Sequence, residues 1–141
     1  MKICCGIEIS GNEARFAVAK IIDDEVSHVV IDTKKIALDD DENSGLVKSF
    51  AGVVEGFARD NDIKWIAISK RAKKGRFAGG SITFKIEGIF QLLNDCEVIL
   101  ISPKTVDAQD KKYKISLPIS LKKYQHEAYR TACTAILQAS K

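Results

Sequence analysis

Glu8 is the acidic residue whose surroundings are least typical of a solvent-exposed side chain. It alternates with Ile7 and Ile9 in the short apolar run 3–9, which predicts a strand that ends in a turn at Gly11. Acids are rarely buried without a partner, so packing alone does not explain a carboxylate in such a strand. Glu8 is therefore either a functional carboxylate or an ordinary strand residue, exposed or paired with a lysine.

A cluster of positive charge follows the predicted strand 63–69. Segment 70–76 carries five cations and no acid, and it comes after the carboxyl end of a central strand, the edge where open α/β sheets bind ligands. Cations there would contact a phosphate backbone and give salt-dependent, largely sequence-independent affinity. The alternative is a solvated charged surface. The candidate nucleic-acid-binding residues are Lys70, Arg71, Lys73, Lys74, Arg76 and Lys104.

Charge is distributed unevenly along the chain. Residues 1–63 contain 7 basic and 13 acidic side chains, whereas residues 64–141 contain 15 basic and 6 acidic ones. The net charge of +3 conceals this asymmetry. The second half is therefore the part expected to meet a polyanion.

Length and composition predict one ordinary globular domain spanning 1–141. The four cysteines lack the spacing of a zinc site, and we expect them to be free thiols in apolar surroundings. The apolar run at the N-terminus is too short for a signal peptide or a membrane span. We therefore expect a cytoplasmic protein without a membrane partner.

Hydrophobic periodicity predicts the element order βββαβαβα. The expected strands are 3–9, 13–22, 26–36, 63–69 and 98–101, and the expected helices follow Ser44 and cover 82–93 and the C-terminal part from Leu117 or Leu121. The polar stretch up to Ser116 is expected to be a long loop. A helix between two strands implies a right-handed crossover and parallel pairing. The order predicts an α/β fold with a five-stranded mixed sheet, its first strand central and helices on both faces.

This order resembles that of the RNase H-like superfamily, and two segments are similar to its RuvC-like branch, the Holliday-junction resolvases. Cys5-Gly6-Ile7-Glu8-Ile9-Ser10-Gly11-Asn12 resembles their first hairpin, in which a glycine, an apolar residue and an acid lie on the central strand. His126-Glu127-Ala128-Tyr129-Arg130-Thr131-Ala132 resembles their alanine-rich last helix, with an acid near its start. The chain is also suspected to belong to an uncharacterised bacterial family of this fold.

The resemblance implies a nuclease site with two divalent ions, Mg²⁺ or Mn²⁺, about 4 Å apart between converging carboxylates. It implies Glu8 and Glu127 as metal ligands, and Glu87 on the second helix as a third catalytic acid. The alternatives are a solvated helix face for Glu127 and an ordinary helix surface for Glu87. The sequence also departs from the resolvase pattern, because Ser69 stands where the fourth strand would end in an acid and Glu8 where aspartate is usual.

Three functions stay open. One is metal-dependent phosphodiester hydrolysis in nucleic acid by a RuvC-like nuclease or resolvase, and another is a nucleic-acid-binding module of the same fold without turnover. A third is a nucleotide-binding relative of the actin-like ATPases, although the chain is too short for their two-lobed architecture and we expect no ATP binding. For the first two, DNA is the expected partner ahead of RNA, and the resemblance implies a homodimer.

Overall fold

A mixed β-sheet forms the centre of the protein in the computed structural model, which describes residues 2–72 and 80–140. Six strands join this sheet within the described part of the chain. They are β1 (Ile3–Ser10), β2 (Glu13–Ile22), β3 (Glu25–Val29), β4 (Lys35–Ala37), β5 (Trp65–Ser69) and β6 (Glu97–Ile101).

The strand order is β3-β2-β1-β5-β6, and β4 also pairs with β2. β1, β2 and β3 form the expected antiparallel meander, while β1 pairs in parallel with β5, and β5 in parallel with β6. The first strand is therefore central, as predicted. Parallel pairing also brings the carboxyl ends of β1, β5 and β6 to one edge of the sheet, where ligands bind in open α/β folds.

Helices cover both faces of the sheet, as expected. They are α1 (Ser44–Asp60), α2 (Ser81–Gln91), α3 (Pro103–Tyr113) and α4 (His126–Ala139), and a 3₁₀ turn at Lys123–Gln125 precedes α4. One hydrophobic core combines residues of α1 and α2 with Cys5, Ile7 and Ile9 of β1. The other core combines residues of α3 and α4 with Cys4 and Trp65. Successive residues of β1 thus point to different cores, as the strand period of two requires.

α4 packs very closely on the central strand because the residues at the contact are small. Gly6 on β1 lies directly beneath the backbone of Ala128 and Ala132, and both alanines are fully buried. A side chain at Gly6 would overlap the Ala128 carbonyl group. This contact fixes the first turn of α4 against β1.

Two parts of the architecture differ from the sequence-based expectation. The predicted strand 26–36 is divided, because residues 30–34 leave the ladder and Ile31 enters the core; the sheet thus has six strands where five were expected. The predicted loop after Pro103 instead contains α3. Only Val106 and Gln109 of that helix are buried, so it lacks the apolar stripe by which a helix is recognised.

Candidate nucleic-acid interface

A cleft of about 790 Å³ lies at the carboxyl edge of β1, β5 and β6. It is bordered by the ends of these strands, by the start of α3 and by the first turn of α4. Its lining residues are Glu8, Ser69, Lys70, Arg71, Ala72, Ser102, Pro103, Lys104, Asp107 and Glu127. The cleft therefore contains two of the three predicted catalytic acids and three of the predicted cations.

Glu8 enters the cleft from the central strand. Its neighbour across the β1–β2 ladder is Arg15, whose Nη1 lies 3.6 Å from Glu8 Oε1. Arg15 also donates a 2.8 Å hydrogen bond from Nε to Glu13. Both side chains of the Glu8–Arg15 pair are about three quarters buried. The expected cationic partner is thus present, but it is an arginine and not a lysine.

Glu127 enters the same cleft from the first turn of α4. Burial raises the pKa of its carboxyl group, and the negative charge of Glu8 raises it further. Arg130, one helical turn later, acts in the opposite direction through a 2.8 Å hydrogen bond from Nη1 to Glu127 Oε2. The two predicted metal ligands therefore share one cleft and influence each other electrostatically.

Arg130 also connects α4 to α3. Its Nε lies 3.0 Å from Asp110 Oδ2 and its Nη2 lies 2.9 Å from Asp107 Oδ1. Burial disfavours the charge on Arg130, but hydrogen bonds and attraction from the carboxylates outweigh that effect and raise its pKa. The guanidinium group is therefore a permanent positive charge beside the cleft.

Glu87 does not meet this pair of acids. It lies on α2, and its neighbours Ile86 and Phe90 belong to the core on the α1 and α2 side of the sheet, whereas Glu8 faces the cleft beside α4. Glu87 is 8% exposed, and no hydrogen-bond partner for its Oε2 is found among the described residues. The structure thus separates Glu87 from the cleft in which Glu8 and Glu127 lie.

The cations of the cleft come from the segment after β5 and from the first turn of α3. Lys70 and Arg71 follow β5, and Lys104 lies in the first turn of α3, whose cap Ser102 accepts a hydrogen bond from Thr105 N. Within residues 2–72 and 80–140, no acid forms a salt bridge with any of these three cations. Three further predicted cations, Lys73, Lys74 and Arg76, lie outside the described residues.

The residues present do not fit a site for two divalent ions. Across the described ranges, no three His, Cys, Asp or Glu side chains are grouped so that they could hold a metal ion. Glu8 and Glu127 are each paired with an arginine already. Ser69 at the end of β5 supplies a hydroxyl where a third carboxylate would be needed.

Sequence reasoning missed the two arginines and Asp107. Arg15 follows Glu13 by two residues, so the strand period of two was a local sign that they share a face of β2. Arg130 follows Glu127 by three residues, the spacing of neighbours on a helix. The contact between Arg130 and Asp107 had no local sign, because it depends on the packing of α3 against α4.

Other sequence-based expectations concern the whole chain. Cys4, Cys5, Cys96 and Cys133 are free thiols, as expected, and three of them are buried. In the described part of the protein, no helix has the length and apolar character that crossing a membrane requires.

Solved structures with a similar fold include RuvC and a viral resolvase. Thermus thermophilus RuvC superposes with a TM-score of 0.76 at 9% identity, covering 98% of this chain and 95% of the other. The T. thermophilus RuvC complex with a Holliday junction substrate gives a TM-score of 0.74 at 10% identity, covering 99% and 96% of the two chains. The Fowlpox virus resolvase complex with Holliday junction DNA gives a TM-score of 0.51 at 13% identity, covering 97% of this chain and 95% of the other.

At such low identity these likenesses establish the fold, and this protein has an RNase H-like α/β fold. No curated protein matches the chain in sequence. A family model does match residues 1–135. The chain therefore belongs to the family described as "Protein of unknown function (DUF3010)".

Proposed function

We propose that this protein binds the phosphate backbone of branched DNA in the cleft and does not hydrolyse it. The observation that carries the proposal is the pairing pattern within the cleft. Lys70, Arg71 and Lys104 have no acidic partner among the described residues, whereas the acids Glu8 and Glu127 each have an arginine. These three cations are therefore available to a phosphate, whereas Arg15 and Arg130 are already engaged by carboxylates.

Cations at the mouth of such a cleft attract phosphates and release counterions from the polyanion. Backbone contacts of this kind position a protein on nucleic acid without reading its sequence. Branched DNA is the first candidate because two of the similar structures are described as complexes with Holliday junctions. Binding as a homodimer and a preference for DNA over RNA are part of the same proposal.

The test is fluorescence anisotropy with a labelled four-way junction, a duplex and a single strand, in buffer with EDTA. We expect binding without divalent metal, and we expect the triple variant Lys70→Gln, Arg71→Gln, Lys104→Gln to bind all three more weakly. The matched control is a second triple variant, in which glutamine replaces Lys2, Arg59 and Lys64. These are exposed cations near the amino ends of β1 and β5. If the two triple variants bound DNA with equal affinity, the proposal that DNA binds in the cleft would be wrong.

Metal-dependent hydrolysis is the second candidate, favoured by the presence of Glu8 and Glu127 in one cleft. Hydrolysis would require Arg15 and Arg130 to release these acids when substrate and Mg²⁺ or Mn²⁺ enter the cleft. Incubation of the junction with either ion separates the candidates. Cleavage that disappears in Glu8→Gln would establish a nuclease and contradict our proposal, whereas we expect intact DNA and tighter binding by Glu8→Gln, since a repelling charge is removed.

A further inference from the structure

Tyr124 lies in the 3₁₀ turn before α4, and two cations approach its ring. The Nζ atom of Lys35 lies 5.0 Å from the ring centroid, and the Cζ atom of Arg15 lies 5.9 Å from it. Arg15 is engaged by the carboxylates of Glu8 and Glu13. Lys35 is exposed, and no acid among residues 2–72 and 80–140 forms a salt bridge with it. The charge of Lys35 is therefore available to a ligand.

A buried glutamine holds this turn against the sheet. Gln125 is 1% exposed, and its Nε2 donates a 2.9 Å hydrogen bond to the carbonyl oxygen of Phe16, while its Oε1 accepts a 2.8 Å hydrogen bond from Lys122 N. Phe16 lies between the β2 residues that pair with β3 and those that pair with β4. The departure of residues 30–34 from the ladder thus gives Gln125 access to β2, and Gln125 fixes the position of its neighbour Tyr124.

The register of the sheet places this surface in line with the cleft. Lys35 pairs with Arg15, and Arg15 pairs with Glu8, so the three side chains lie side by side across β4, β2 and β1. The next strand is β5, which Lys70 follows. At about 4.8 Å between neighbouring strands, β4 lies roughly 15 Å from β5. One strand of B-DNA advances about 3.4 Å per nucleotide, so this distance corresponds to about four nucleotides.

We propose that Lys35 and Tyr124 form a second phosphate contact, which rests on the proposed DNA binding and extends it to the other side of Glu8. The ammonium group of Lys35 and the hydroxyl group of Tyr124 both donate hydrogen bonds of the kind that phosphate oxygens accept. Within the described ranges, the Tyr124 hydroxyl has no hydrogen-bond partner. Arg15 offsets the charge of Glu8 between the two contacts, so a DNA strand can cross that position.

The first test is fluorescence anisotropy with the labelled four-way junction and a duplex, over a range of salt concentrations. Lys35→Gln should weaken binding to both and make the slope of log K against log salt concentration less steep by about 0.9 on the duplex, because one phosphate is no longer neutralised. Lys35→Arg keeps the charge and should keep the slope. The matched control is Lys20→Gln, which should change neither quantity, because Lys20 pairs with Ile3 at the amino end of β1.

The contribution of Tyr124 is tested separately from that of charge. Tyr124→Phe keeps the ring and removes the hydroxyl group, so we expect about fivefold weaker binding with an unchanged salt slope. Carbon-13 labelling of the tyrosine rings gives a measurement on the wild type. On titration with the duplex, the NMR signals of Tyr124 should shift, whereas those of Tyr129, which is 2% exposed, should not. Circular dichroism shows whether each variant is folded.

The outcomes separate the second contact from the cleft. If binding weakens in the triple variant of Lys70, Arg71 and Lys104 but Lys35→Gln keeps the wild-type affinity and slope, the cleft is supported and the second contact is wrong. If binding weakens in Lys35→Gln but not in the triple variant, the second contact is supported and the cleft is wrong. A wild-type protein that binds neither the junction nor the duplex would overturn both proposals.

Discussion

Gly6 on the central strand lies directly beneath the carbonyl group of Ala128 in α4. A Cβ atom at position 6 would overlap that carbonyl and lie 2.8 Å from the backbone nitrogen of Ala132. Backbone atoms at such a contact cannot rotate away, so the helix would have to move. We expect Gly6→Ala to lower the free energy of unfolding by about 3 kcal/mol or more, measured by urea denaturation.

Gly52 provides the matched control. It is exposed on α1, and a Cβ built there meets no other atom within 4 Å. Alanine is the better helix former, so Gly52→Ala should raise the free energy of unfolding by roughly 0.5–1 kcal/mol. Similar effects of the two substitutions would mean that α4 does not pack on Gly6 as described.

The acidity of Glu127 reports on both of its charged neighbours. Its pKa is raised by burial, lowered by Arg130 and raised by Glu8. We therefore expect Glu8→Gln to lower the Glu127 pKa and Arg130→Gln to raise it, measured by NMR titration of the side-chain carboxyl carbon. Opposite signs for the two variants are the essential result, and a shift of the same sign in both would contradict the geometry of the cleft.

The same shift has a consequence for stability. A carboxyl group with a raised pKa in the folded state binds more protons there than in the unfolded state. Its contribution to the free energy of unfolding is therefore largest below the ordinary glutamate pKa and falls as pH rises through the raised value. We expect Glu127→Gln to remove that part of the pH dependence, measured by urea midpoints across acidic pH.

His28 should show the opposite dependence. Its Nδ1 lies 2.7 Å from Ser120 Oγ, its ring packs edge-on against Tyr129, and burial together with the charge of Lys34 lowers its pKa. The unfolded state therefore takes up the proton first, and stability is lost as pH falls below the ordinary histidine value. We expect the free energy of unfolding, measured by urea denaturation, to fall less between pH 7.5 and 5.5 in His28→Gln than in wild type.

Salt dependence measures the number of phosphates that the cleft neutralises. The slope of log K against log salt concentration should become less steep by about 0.9 for each duplex phosphate that the variant protein no longer neutralises. We expect Lys70→Gln and Lys104→Gln each to produce such a change on every duplex sequence tested. A slope equal to that of wild type would assign these lysines to the solvated surface.

The sequence predicts elements whose apolar pattern is complete and misses those held by tertiary contacts. β1 and β5 are apolar and β-branched, and α1 has a clear apolar face, so their positions follow from periodicity. α3 lacks such a face. Its start is nevertheless marked by Ser102 as cap and Pro103 in the first turn, which together could have revealed it.

The residues of the candidate site also divide into those that local sequence patterns indicate and those that only tertiary contacts determine. Glu8 and Glu127 were identified from strand alternation and from similarity to a helix start, and both lie in the cleft. Glu87 is the third acid that the resemblance implies on the second helix, but periodicity does not show which side of the sheet α2 covers. The partners of Arg130 on α3 could not be predicted because α3 itself was not recognised.

The close contact between Gly6 and α4 also constrains the order of folding. β1 and β2 are neighbours in sequence and can pair early, but the helix that covers their cleft-side face lies about 120 positions further along the chain. Contacts of such large sequence separation close long loops and slow folding. We therefore expect the acids of the cleft to come together late in folding. A folding intermediate with a formed meander and an undocked α4 would hold Glu8 without Glu127.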